Sequence, residues 1–499
     1  MRNTDFFTGN IQNCVSELVK VRKIRNFVTA GKLLCVAFFI WGIYKLFFPP
    51  VDFVVYAVLC VSVILFIALS VKDTGIVDQI NQLKILIKIN RTEKEYIEGD
   101  FTNLDTGEEF MDPSHEYSLD LDIFGENSLF QAINRTVTLK SRKLLAGWLT
   151  KPLKDASLIV SRQNSVRELA DDSYWMYKFR CRGAYAEISE SESFYIQKWL
   201  EEPDFFKKTW IIRIIYIVNA ISLMILLAAL LDYINPYVPV YLFTAQLFIV
   251  LFTIKKINSK SQDLNKVSAT IDKYYELIDV IEQKEFQSDR LADVRDMLMN
   301  GERNAGFAFK ELYKILNGFD QRNNILIWLL LNALFMRDFH LVNLVDKWKS
   351  KYGDNIIGWM DAVEEIDALV SMGNFSVNHP EYIFPQIDKG TVADIRNTAH
   401  PLLRSTVKVS NDFRLKSMHE IYILTGANMA GKSTFLRTIG VNLVLAMSGN
   451  VVCAESFAFR PLDIFTSMRT TDNLSKGNSY FHAELLRLKE LKTIAEKSD

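Results

Sequence analysis

Cysteine is scarce in this chain. Its 499 residues include five, Cys14, Cys35, Cys60, Cys181 and Cys453, and no two stand at metal-binding or redox spacing. That excludes a zinc ribbon and a redox pair, and all five read as reduced thiols. An excess of one charge is lacking too: 58 Lys and Arg face 59 Asp and Glu, a net charge of −1. No global basic field draws in nucleic acid, so any such contact must come from local patches. Lys and Arg are absent from two short turns, Pro49–Asp52 and Asp232–Pro236. What the chain does have is length for more than one domain and a sizeable core. Its apolar residues concentrate in four long runs.

The first run is Leu33 to Phe48, interrupted by Gly42 and Lys45; the second, Phe53 to Val71, is free of charge. At 1.5 Å per residue they span roughly 24 and 28 Å, so the first must thin a bilayer or snorkel Lys45 outward. Trp210 to Leu231 and Tyr237 to Ile254 form a second pair, with Arg213 near its start and Tyr233, Tyr237 and Tyr241 suited to a water–lipid boundary. The first run starts too late for a signal peptide and lacks a small-residue cleavage pattern. Two transmembrane hairpins are therefore expected. Lys20, Arg22, Lys23, Arg25, Lys32, Lys72, Lys207, Lys208, Lys255, Lys256 and Lys260 flank the runs on the side away from the turns. The positive-inside bias puts both turns outside and all else in the cytoplasm, so the expected location is the inner, cytoplasmic membrane. Ile325 to Met336 is apolar for only about 12 residues, contains Asn332, and reads as a buried helix.

Between and after the hairpins the pattern is helical. Ile80 to Ile89 suits a helix leaving the membrane, and Leu129 to Leu149 a helix or helix pair ended by Pro152. Leu264, Val267, Ile271, Tyr274, Ile278 and Ile281 recur at spacings of 3 and 4. This seam fits either one packed helix of a bundle or a long lever projecting from the membrane. Arg135, Lys140, Arg142 and Lys143 form a basic cluster, readable as a phosphate contact, as a solvated face or as intramolecular ion pairs. Strand signals begin near Thr406. The apolar run Glu420 to Thr425 reads as a strand that opens an α/β nucleotide domain.

The clearest motif follows that run. Gly426-Ala427-Asn428-Met429-Ala430-Gly431-Lys432-Ser433-Thr434 fits G-x-x-x-x-G-K-[ST] throughout. Glycines let the backbone turn its N–H groups onto phosphates, Lys432 supplies a mobile cation, and the Ser433 hydroxyl suits Mg²⁺. A helix starting near Lys432 would add its positive end. The expected cofactors are ATP and Mg²⁺.

Asn428-Met429-x-Gly-Lys-Ser-Thr followed by Leu436-Arg437 resembles the P-loop of the MutS family of DNA mismatch-repair ATPases. Ile464 to Arg469, then Asp472 to Phe481, resembles the family loop that reaches across a dimer to the partner's nucleotide. Ser128 to Thr136, leading to Trp148-Leu149 and Pro152-Leu153, resembles the start of the family's helical core, and His400-Pro401 sits where its ATPase domain begins. The likeness covers roughly residues 117 to 209 and 258 to 499. It implies a homodimer in which Ser479 acts in trans, although Ser479 also suits a helix N-cap, His482 a structural role and Glu484 a helix surface. Three departures stand out. A membrane hairpin replaces the mismatch-reading domain, with no convincing Phe-x-Glu wedge. The second hairpin falls where the family inserts its DNA clamp. No apolar strand ending in Asp-Glu follows Lys432 before Asp499, about 67 residues on. The expectation is a truncated chain with weak nucleotide binding and little turnover.

The fold expected is thus multidomain: transmembrane helical hairpins, an all-α core and lever, and an incomplete α/β P-loop ATPase domain of the ABC type. Its parts are a basic N-terminal segment (1–32), a hairpin (33–71), the first part of the core (72–209), a second hairpin (210–254), the lever and second part of the core (255–385), and the start of the ATPase domain (386–499). The function expected is a membrane-anchored, ATP-switched dimer that binds DNA in repair or recombination, its other partner being membrane lipid. The alternative is a membrane-remodelling or signalling ATPase that does not bind DNA.

Overall fold

The computed structural model describes residues 2–47, 53–184, 192–206, 209–235, 237–299, 304–320, 325–388, 390–404, 407–427, 429–468 and 480–498. Helices dominate it. α1 (Arg2–Leu46) and α2 (Phe53–Ile97), 45 residues each, lie against one another as a hairpin. Each is about 68 Å long, roughly twice the thickness of a bilayer core. The apolar runs are therefore only the distal part of the hairpin, and both helices continue as a stalk. Gly42 marks the tightest approach, since a Cβ there would lie 2.7 Å from Leu59 Cδ2. The stalk buries its own seam of Leu18, Val28, Ile76 and Ile80. Asp73 pairs with Lys32 at 2.6 Å and Arg25 at 3.4 Å just past the apolar run.

Five helices follow: α3 (Leu129–Ile133), α4 (Leu139–Thr150), α5 (Ala156–Asp171), α6 (Ser173–Ala184) and α7 (Glu192–Glu201). Leu129 to Leu149 is thus the helix pair. Each of α3, α4 and α5 starts on a side chain that accepts a backbone N–H: Ser128, Thr138 and Asp155. The second hairpin is α8 (Thr209–Leu230) and α9 (Tyr237–Glu282). α9 runs unbroken from its apolar half into the core, where Val267, Ile271, Tyr274, Ile278 and Ile281 are buried. The seam is both a packed bundle helix and a direct continuation of the hairpin. The four apolar stretches are long and apolar enough to cross a membrane, and only 11–17 % of each is buried within the protein. Their apolar faces point outward instead of filling a core.

α10 (Asp289–Met299), α11 (Ala305–Asp320), α12 (Ile325–Phe335) and α13 (Arg337–Asn378) complete the helical body. The expected burial of α12 holds on one side only. Asn332 is buried and accepts from the Asp338 N–H at 3.0 Å, but Leu329, Leu330 and Phe335 are exposed. α12 packs against α8, α9 and α13 with one face, and no described residue covers the other. α13, 42 residues long, is the axis of the core, and most of its second half is buried. Asp367 on α13 accepts the N–H groups of Val137 at 3.0 Å and Thr138 at 2.9 Å, placing a carboxylate at the start of α4.

The stalk is locked to this body by charge. Glu93, on α2 well beyond the apolar run, is fully buried between Arg135 and Arg180, each at 2.8 Å, and accepts from Asn378 Nδ2 at 2.8 Å. Burial alone would raise its pKa; the two guanidiniums overcome this and hold it at about 2. Arg142 pairs with Asp105 and with Glu109 at 2.5 Å, and Lys140 reaches Glu364 at 3.5 Å. Three of the four residues of the basic cluster are thus spent inside the protein, and Lys143 is exposed.

The sheet comprises β1 (Gln386–Ile387), β2 (Ala393–Thr398), β3 (Asn411–Leu415) and β4 (Ser456–Phe459), in the order β1-β4-β2-β3. Only β1 and β4 are parallel. The nucleotide loop leads into α14 (Lys432–Met447), and α15 (Tyr480–Ser498) ends the described chain. The expected strand over Glu420–Thr425 is not formed: residues 421–427 pair with no strand, and Ile421 and Ile423 are exposed. An apolar strand of this kind needs a neighbour on each edge, and no described segment supplies one.

Removing the Glu93 carboxylate leaves two guanidiniums buried against neutral groups. Glu93→Gln should cost about 3–5 kcal/mol of stability, read by denaturant unfolding at neutral pH. Because the folded pKa is depressed, the carboxylate's contribution is complete above its ordinary 4.5 and is lost as pH falls through about 2. The gap between parent and variant should close over that window. A variant as stable as the parent at pH 7 would contradict the role given to this carboxylate.

Candidate functional site: a phosphate-cradling loop docked on the helical core

The loop is held from below by α14. Gly431 stands at its N-cap with φ +88° and no side-chain cap, and Met429 has φ +65°. The first N–H groups of a helix lack partners within it; here they open onto the loop with the positive end of a 16-residue helix behind them. A Cβ at Gly431 would meet nothing within 4 Å, so it is the backbone conformation that calls for glycine there. Lys432 Nζ donates to Gly426 O at 2.5 Å and Ala427 O at 2.7 Å, so the ammonium is folded over the loop. Ser433 and Thr434 are exposed beside it. A flexible cation, two hydroxyls and uncapped N–H groups on one exposed turn are the donor set that a polyphosphate requires. By donor type the residues fit the phosphates of ATP.

The rest of α14 is the joint to the core. A Cβ at Gly440 would lie 2.7 Å from Leu121 Cδ2, so the helix sits directly on the loop ahead of α3. Arg437 Nη1 pairs with Asp122 Oδ2 at 3.2 Å on the same loop. Burial, with the Arg437 charge beside it, pushes His400 down to about 4, which keeps the imidazole neutral near pH 7. At the far end of α14, Leu153 N–H donates to Met447 O at 3.1 Å and Ser448 Oγ to Trp148 O at 3.0 Å. Arg162 Nη1 reaches Ser448 O at 3.1 Å, its guanidinium 3.9 Å above the Trp148 ring. Gly449 has φ +81°, and a Cβ there would lie 2.9 Å from Arg162 Cβ.

A second strap comes from residues 464–468. Thr466 N–H donates to Glu116 O at 3.0 Å, and Met468 N–H to Asp120 Oδ2 at 3.0 Å. Arg487 of α15 clamps the same loop, donating to His115 O at 2.8 Å and Glu116 O at 2.6 Å, with its guanidinium 4.3 Å over Phe465. Nothing in the sequence flagged Arg487, Asp122 or Leu121: the contacts that join them across the two parts span more than 300 positions and no local pattern marks them. Of the expected site residues, Gly426, Ala427, Met429, Ala430, Gly431, Lys432, Ser433 and Thr434 share one turn. Asn428 and Ser479 lie outside the described residues, as do the side chains of His482 and Glu484.

These two joined parts also match known families separately. The profile of MutS domain III matches residues 116–373, more than half of the chain, and that of MutS domain V matches residues 422–498. The chain belongs to the MutS family. A DNA mismatch repair protein MutS of Ehrlichia ruminantium is 36 % identical to this MutS-family chain over 138 residues, which are 27 % of the chain and 17 % of that protein. One from Protochlamydia amoebophila is 30 % identical over 214 residues, 41 % of the chain and 24 % of the relative. One from Chlorobium chlorochromatii is 37 % identical over 127 residues, 24 % of the chain and 14 % of the relative. The MutS-family chain thus spans less than a quarter of the length of these curated relatives. Within it, domain III is the helical body and domain V carries the phosphate loop, joined where α14 meets Leu121 and Asp122.

Proposed function

We propose that this MutS-family chain is a membrane-anchored, ATP-binding switch in which the nucleotide loop drives the helical core and, through it, two membrane hairpins. The observation that carries the reading is the seating of α14, which begins in the phosphate loop and packs directly on the core at Leu121. Bound ATP would supply the phosphoanhydride that is cleaved. Lys432 would exchange its two loop carbonyls for phosphate oxygens. The helix N-terminus would orient those oxygens, and Ser433 would position the cation. Any tilt of α14 must then move Arg437 and Arg162, and with them the core. The four outward-facing apolar stretches support anchoring in a bilayer with the loop on the cytoplasmic side. Family membership supports a homodimer, with Ser479 of one chain serving the other's nucleotide.

Replacing Lys432 by Ala removes the mobile cation. Binding of a fluorescent ATP analogue with Mg²⁺ should weaken about 10- to 100-fold, the worth of one or two charge-assisted hydrogen bonds, while the thermal unfolding temperature stays unchanged. Equal affinity in variant and parent would sink the reading.

DNA enters this proposal through the relatives, which are named as DNA mismatch repair proteins. The chain's own charges bear on it differently, since Arg135, Arg142 and Lys140 are neutralised internally. A duplex-binding titration of the detergent-solubilised chain at several salt concentrations decides the matter. If DNA is the ligand, affinity should fall linearly in log–log form with a slope of about −0.9 per phosphate contacted. No binding at about 50 mM salt would assign the switch to membrane remodelling or signalling without DNA.

A further inference from the structure

Where α8 begins and α13 runs past it, a cavity of about 440 Å³ opens on the protein surface. Three cations line it: Arg213 from the first turn of α8, and Lys347 and Lys351 one turn apart on α13. All three are exposed, and among the described residues none has an ion-pair partner. Two carboxylates share the lining, so one positive charge is left over. Of these, Asp346 is committed to the backbone, accepting the N–H of Phe205 at 2.8 Å and of Phe206 at 3.2 Å. Asp204 is the other.

A second observation is independent of charge. Part of the lining is apolar: Ile212, which is buried, and Tyr216, which is 48 % exposed, both from α8. Ile214 and Ile217 turn outward from the same helix, 47 % and 58 % exposed. The cavity thus combines an anion site with an apolar exit along an outward-facing helix, at the level where the third apolar run starts.

We propose that this cavity binds the phosphate of an anionic phospholipid drawn from the inner leaflet. Arg213, Lys347 and Lys351 hold the phosphate oxygens, and the acyl chains follow Ile214 and Ile217 along α8. The shared chemistry is a phosphate group. Free inorganic phosphate would satisfy the cations but leave Tyr216 and the outward Ile214 and Ile217 uncovered, which is why the lipid is favoured. The proposal rests on the membrane reading above. It gives the hairpin a lipid-dependent hinge, because the ligand would bridge α8 to α13, the axis of the core.

The test uses the full chain in neutral detergent micelles without phosphate buffer. Dihexanoyl phosphatidic acid, dihexanoyl phosphatidylcholine and inorganic phosphate are titrated separately, and thermal unfolding is followed. Phosphatidic acid should raise the unfolding temperature saturably; the other two should not. Each cation near an anionic headgroup contributes about fivefold in affinity. Lys347→Ala with Lys351→Ala should therefore raise the half-saturating concentration about 25-fold, and Arg213→Gln alone about fivefold. The single variant keeps the test open should the double one unfold. An unchanged titration in both variants overturns the site. An equal response to inorganic phosphate overturns the lipid and leaves a free-anion site. Alkaline carbonate extraction of native membranes is read alongside: a chain that washes out refutes the membrane reading, whereas the micelle titration still reports on the cavity.

Discussion

One buried carboxylate organises this protein. Glu93 sits between Arg135 and Arg180, and its partners come from three parts of the helical body: the segment between α3 and α4, helix α6, and the end of α13 through Asn378. A buried charge this well enclosed is costly to desolvate and costlier still to leave unpaired. The hairpin stalk cannot slide or tilt on the body without breaking it. Phe7 against Tyr177 and the half-buried flank of α2 add apolar packing, but packing alone tolerates rotation. The ion cluster specifies a single seating.

From that point a continuous set of contacts leads to the nucleotide loop. Arg135 lies 5.0 Å from the Tyr96 ring on α2, and the Tyr96 hydroxyl meets His379 Nε2 at 2.7 Å at the end of α13. His379 stacks on Tyr382, whose hydroxyl donates to Pro401 O at 3.0 Å. Two residues back, Ala399 O accepts from Asn442 Nδ2 of α14 at 3.0 Å. Contiguity of this kind is a physical route by which a shift of α14 can reach the stalk. Demonstrating it as coupling requires two states of an element that both ends bias.

Much of the helical body was legible before any coordinates. The 3-and-4 spacing from Val267 to Ile281 marked the buried face of α9, and Pro152 the end of the α4 region. Gly426 to Thr434 marked the loop because its chemistry is local: glycine torsions, one lysine and two hydroxyls in nine consecutive residues. What depends on distant partners was not legible. Which of its readings the basic cluster follows was not legible, because Glu93, Asp105 and Glu109, the ion-pair partners of Arg135 and Arg142, stand well before it with no periodic signal. The run Ile421 to Leu424 has the composition of a strand, but a strand exists only by pairing, and its neighbours are not among the described residues. α12 reads as buried from its short apolar length and Asn332; Asn332 is buried, but length does not say that Leu329, Leu330 and Phe335 stay exposed on the other face.

The proposed function joins two properties in one molecule: a nucleotide loop on the cytoplasmic face and hairpins anchored in the bilayer. Photolabelling with an azido-ATP analogue in sealed vesicles of opposite orientation tests both at once. Inside-out vesicles should label the chain, excess ATP should abolish the label, and the labelled chain should stay in the membrane pellet after alkaline carbonate. Right-side-out vesicles should give no label. Equal labelling in both orientations, or a labelled chain released by carbonate, would contradict the account.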